Sequence, residues 1–158
     1  MKKLFVFLAI VISMLAFNVC HAAYPTHLNG DPNYVLCDGH MGTGWFLQKD
    51  SVELDGSNER EAVLSFSLVT VNNLDKGNAE VSARRNIKIG YDLDRIKMYY
   101  INDNSVRYLD PDGPLSMTRI YMPAGEIAFY VFFQNKFYGL VNNHFGDKVF
   151  SEAFYNQI

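Results

Sequence analysis

Residues Pro123–Gly139 read PAGEIAFYVFFQNKFYG, the most apolar run in the chain outside the extreme N-terminus. A helix and a hairpin both fit it. For the helix, Pro123 suits a first turn and Glu126 stands where a carboxylate favours a helix N-terminus. Lys136 then falls in the last turn, with Gly139 just past the end. For the hairpin, aromatics dominate and Gln134-Asn135-Lys136 makes a turn between two strands. Apolar residues lie all round the helical wheel, so periodicity does not choose. The start and stop signals favour the helix.

A sheet for such a helix to cover lies upstream. Ala62–Val71 alternates, with Leu64, Phe66 and Leu68 on one side and Ser65 and Ser67 on the other. In Val81–Tyr91, the residues Val81, Ala83, Ile87, Ile89 and Tyr91 share a face; Arg85 interrupts it and reads as near an edge, its stem buried and its charge in water. Arg95–Ile101 presents Ile96, Met98 and Tyr100 together and turns at Asn102-Asp103-Asn104 into Ser105–Leu109, with Val106 and Tyr108 expected inward. Asp110-Pro111-Asp112-Gly113-Pro114 stops the sheet. Trp45–Leu54 reads as the first strand, broken near Lys49-Asp50. Turns this short force antiparallel pairing. Asp147–Ile158 reads as a final amphipathic helix capped by Asp147. The expectation is α+β: an antiparallel β-sheet meander of about five or six strands with a C-terminal helix packed on one face.

With 158 residues the chain suits one domain. Residues 1–22 read as a signal peptide: Lys2 and Lys3, the apolar Leu4–Phe17, then Cys20-His21-Ala22 before a cleavage point. The apolar core is short for a membrane span. Val19 is not the small residue that lipidation at Cys20 needs. The expectation is an exported chain (extracellular, cell-surface or periplasmic) that meets membrane only through this segment during export. Residues 23–44 read as an extended leader and glycine-rich loop, and 45–158 as a single α+β domain. Taking Lys2 and Lys3 from the 14 basic residues leaves 12 against 17 acidic ones, a net charge of −5. Such a balance argues against nucleic acid, which needs a basic footprint.

Beyond residue 22 the one cysteine is Cys37. It reads as a small buried residue, or else as a reactive thiol or an intermolecular disulfide. Cys37-Asp38-Gly39-His40 gathers thiol, carboxylate and imidazole, but catalytic partners usually come from separate elements. His27, His40, His144 and Cys37 lack the paired spacing of a zinc site, so no metal is expected. Asp92-Leu93-Asp94 and Asp110-Pro111-Asp112-Gly113 lack the further oxygen ligands of a calcium loop and read as turns. Phosphate, dinucleotide and nucleophile-elbow motifs are missing, and no cofactor is expected. Arg84, Lys88, Tyr99 and Arg107 fall on expected solvent-side strand positions. Arginine with aromatics on an exposed face suits recognition of a protein or glycan, against the alternative of an ordinary solvated face.

The order of Trp45-Phe46-Leu47, Val69-Thr70-Val71, Arg84-Arg85, Tyr108-Leu109-Asp110 and Met122-Pro123-Ala124-Gly125-Glu126 resembles small bacterial exported proteins of the surface-adhesin protein E type. The resemblance covers about residues 45–139. It implies an antiparallel sheet packed on a C-terminal helix, surface exposure or secretion, and binding rather than catalysis. Cysteines help tie down the helix in that family, whereas no cysteine follows Cys37 here. The expected function is an exported, non-enzymatic binding or surface-interaction protein. The alternatives are a small envelope enzyme or inhibitor using the Cys37/His40 loop, and a structural envelope component dimerised through Cys37.

Overall fold

A computed structural model describes residues 24–158, so the expected signal at 1–22 lies outside the described residues. Seven strands form one antiparallel sheet: β1 (Tyr34–His40), β2 (Thr43–Gln48), β3 (Glu53–Ser57), β4 (Glu61–Val71), β5 (Val81–Asp92), β6 (Lys97–Asn102) and β7 (Ser105–Tyr108). The order across the sheet is β1-β2-β4-β5-β6-β7, with β3 also paired to β4. Three α-helical segments follow, α1 (Leu115–Thr118), α2 (Tyr121–Phe133) and α3 (Glu152–Tyr155), with a 3-10 turn at Tyr138–Leu140 between the last two. The α+β architecture, with a C-terminal helix on one sheet face, is the expected one.

The alternating residues set the covered face. Leu64, Phe66, Ile87, Ile89, Tyr91 and Met98 are buried there beneath α2. The helix can approach closely because Ala124, Gly125 and Ala128 carry little bulk. A Cβ on Gly125 would lie 2.4 Å from Met98 Sδ and 3.3 Å from Ile89 Cγ2. At the same spot the Tyr91 hydroxyl donates to the Gly125 carbonyl at 2.8 Å. Among the described residues the opposite face is closed at one end, where Leu28 packs with Phe46, Val69 and Val71.

Several boundaries differ from the expectation. Residues 23–44 are not all leader and loop, since β1 and the start of β2 lie within them. Met41 and Gly42 take φ of 50° and 76°, the two positive values of a tight hairpin turn. Gly39 looked like a loop residue. Its missing Cβ makes room for the Tyr24 ring, whose Cγ would stand 2.4 Å from it. The expected strand Trp45–Leu54 is two strands lying end to end along β4. Ser51 sits in the break, where its hydroxyl donates to the Gln48 carbonyl at 2.6 Å and accepts from the Ser67 N–H at 2.8 Å.

The covering helix ends at Phe133, six residues before Gly139, because Gln134 takes the left-handed conformation at φ 53°. The chain then doubles back so that the turn at Tyr138–Leu140 meets the helix start. Glu126 makes that joint. It is 0% exposed and accepts four hydrogen bonds: from the N–H of Phe137 (2.9 Å), Tyr138 (2.8 Å) and Gly139 (3.3 Å), and from the Tyr155 hydroxyl (2.6 Å). The expected final helix shrinks to α3. Asp147 does not cap it; it pairs instead with Asn143, accepting at its carbonyl (2.8 Å) and donating its N–H (2.9 Å) in a loop.

Strand β7 faces the opposite way from the expectation. A three-residue turn over Asn102–Asn104 would set Tyr100 opposite Val106. The turn is the two-residue Asp103-Asn104, which pairs Tyr100 with Arg107 and Tyr99 with Tyr108. A one-residue register change turns every side chain over. Val106 is therefore 66% exposed, and Arg107 lies on the helix side against the rings of Tyr100 and Tyr121, 5.4 and 5.5 Å from their centroids.

Candidate site on the open sheet face

Among the described residues nothing covers the face away from α2 toward β5, β6 and β7. Register places three of the four candidate residues on it: Arg84 stands across from Val69, Lys88 across from Ile101, and Tyr99 across from Gly90. Arg107 does not join them, for the register reason above. Arg84 donates to Gln48 Oε1. Lys88 Nζ is 2.6 Å from Asp55 Oδ2, and Ser65 donates to the other Asp55 oxygen at 2.8 Å. The Lys88 ammonium, and then the Ser65 hydroxyl, hold the Asp55 carboxyl below its ordinary value. These two cations are thus partnered within the fold.

The concave part of this face lies beside them. A groove of about 320 Å³ is lined by Val63, Gly90, Tyr99, Ile101 and Val106, with Glu61, Asp92 and Arg95 at one end. Gly90 makes its floor, since a Cβ there would come 3.0 Å from Ile101 Cδ1. Tyr99 and Tyr108 form an aromatic wall with centroids 5.6 Å apart, and Lys97 Nζ lies 5.3 Å from the Tyr108 ring. The acid end is internally answered, because Arg95 pairs with Asp92 at 3.5 Å and Arg60 with Asp94 at 3.4 Å. Chemically this is an apolar and aromatic trough with one charged end, suited to contact.

The sequence reading named Tyr99 but missed Gly90, Ile101 and Val106. Gly90 carried a usable signal: an isolated glycine on the polar face of a long strand marks close approach. Val106 was hidden by the turn length.

The Cys37/His40 cluster assembles differently from a catalytic pair. A bulge between Leu36 and Asp38 directs Cys37 into the core, where its thiol donates to the Val35 carbonyl at 3.7 Å. Burial pushes that thiol well up, so it stays protonated. Cys37 is thus the small buried residue first expected, and the alternative of an intermolecular disulfide would require the core to open. His40 bonds instead to Asp38 at 3.0 Å and stacks on Trp45 at 4.8 Å, while Arg119 reaches the same Asp38 oxygen at 2.7 Å. That set fastens the segment after α1 to β1. Among the described residues no three His, Cys, Asp or Glu side chains gather to hold a metal ion. In comparisons with protein-family models, curated proteins and solved structures, nothing matches this chain.

Proposed function

We propose that this chain is an exported, non-enzymatic binding or surface-interaction protein whose partner, a protein or glycan at the cell surface, meets the open face of the sheet. The observation that carries the reading is the groove over Gly90, where Val63, Tyr99, Ile101 and Val106 leave aliphatic and aromatic surface open to solvent beside one charged end. Exposed apolar surface rimmed by polar groups is what contact sites look like. The leader at 1–22 and the resemblance to surface-adhesin protein E support export and binding. The burial of Cys37 weighs against an enzyme using the Cys37/His40 loop and against a structural dimer bridged through Cys37.

The test is a binding panel of extracellular-matrix proteins and glycans, run on the wild type and on Gly90→Ser, whose side chain rises into the trough. At least one ligand is expected to bind the wild type and to bind Gly90→Ser about tenfold more weakly, with the variant still folded by its amide spectrum. A panel on which nothing binds, or on which the variant equals the wild type throughout, would overturn the reading.

A further inference from the structure

Among the described residues the sheet ends at β7, and no strand pairs with its outer edge. Leu109 donates its N–H to the Met98 carbonyl at 2.8 Å, which fixes the hydrogen-bonding parity of the hairpin. With Tyr99 opposite Tyr108 and Ile101 opposite Val106, the closely bonded pairs are Met98 with Leu109, Tyr100 with Arg107, and Asn102 with Ser105. The N–H and C=O of Val106 and Tyr108 therefore point outward. Among the described residues nothing accepts from or donates to them. Both side chains are exposed, at 66% and 38%.

Between them stands Arg107, on the other face. No carboxylate among the described residues lies within ion-pair distance of it, and its Nε is buried without an acceptor. Its neighbours are rings rather than anions, Tyr100 and Tyr121, stacked on each other at 4.2 Å. A cation that stands beside the ring stack, with no carboxylate paired to it, has its charge available to a carboxylate that arrives next to it. The sheet has another free edge: β6 pairs only Lys88–Asp92 of β5, leaving residues 81–87 without it. That edge carries Ser82, Arg84, Arg85 and Asn86, the charged kind that resists strand addition. The β7 edge carries valine and tyrosine.

We propose that β7 accepts an extended segment of a partner protein as an eighth strand, with an acidic residue opposite Arg107 and apolar residues on either side of it. The outward groups of Val106 and Tyr108 supply the backbone hydrogen bonds. The partner's acidic side chain falls on the helix face, about 5 Å from Arg107 at Cβ. Its neighbours fall on the open face, over Val106 and Tyr108. This rests on the reading of the chain as a binding protein and deepens it: the backbone hydrogen bonds belong to the β7 edge, while the side chain of Val106 also lines the trough.

The probe is a capped peptide, Val-Thr-Val-Glu-Val-Thr-Val, set against its twin with lysine at the centre. Binding is read by amide chemical shifts during titration of the folded chain. The glutamate peptide is expected to bind about tenfold or more tightly than the lysine twin and to shift the Val106 and Tyr108 amides. Val106→Pro removes an outward donor that the internal ladder does not use, and is expected to abolish binding with the melting temperature held. Arg107→Glu is expected to reverse the preference toward the lysine peptide, which a merely structural arginine would not do. Gly90→Ser is expected to leave peptide binding in place, so failure of the trough and failure of the edge are separable. Equal binding of the two peptides, no shift at either amide, or a Val106→Pro chain that binds like wild type would overturn the proposal.

Discussion

Glu126 shows how a residue can be placed correctly for the wrong reason. In the sequence its carboxylate argued for a nearby helix N-terminus. In the fold it lies inside the protein and gathers donors from the segment that follows α2 and from α3. Gly139 has to be glycine for the same joint, because a Cβ there would lie 1.8 Å from the Tyr155 hydroxyl. Burial, and then the neighbouring Glu126, push the Tyr155 phenol well up, so it remains a donor. Glu126→Ala strands three backbone N–H groups and one hydroxyl in the interior. A buried donor left without a partner costs roughly 1–3 kcal/mol, so the variant is expected to lose at least about 3 kcal/mol in urea unfolding. A loss below about 1 kcal/mol would mean that water answers those donors.

Among the elements, β3 is the least secured, since all five of its residues are exposed. Its side-chain tether is Asp55, held by Lys88 and Ser65. The Asp55 carboxyl is lowered in the fold, so its stabilisation is present above the unfolded carboxylate value of about 3.9 and is lost as pH falls through the folded value. Acid is therefore expected to free β3 before the rest of the sheet. A carboxyl NMR titration should place Asp55 below the ordinary range in the wild type and return it upward in Lys88→Gln. An Asp55 that titrates identically in both chains would remove the tether. Elements also show where local reading failed. The strands at 62–71 and 81–91 were legible because one face is buried and the other solvated. Strand β7 was not, because its facing depends on whether a turn has two residues or three.

In the whole molecule, sheet and helix share one core, and Cys37 belongs to it along with Val35, Leu47, Ile127 and Phe129. Its thiol should react only when that core opens. In a chain beginning at Ala23, where Cys37 is the single cysteine, a thiol reagent at pH 8 is expected to label the native protein far more slowly than the urea-unfolded one. Native labelling as fast as unfolded labelling would place the thiol at the surface. The sequence by itself determined the layering: period-two apolar strands must shed water on one side, and the run after Pro123 was the segment apolar enough to cover them. It also marked the break near Lys49 and the end of the sheet at Pro111. Only the tertiary structure decided which glycines are contacts, where Glu126 finds its donors, which way β7 faces and whether Cys37 is accessible. Each of those depends on atoms far apart in the chain, and local periodicity carries no record of what arrives from elsewhere.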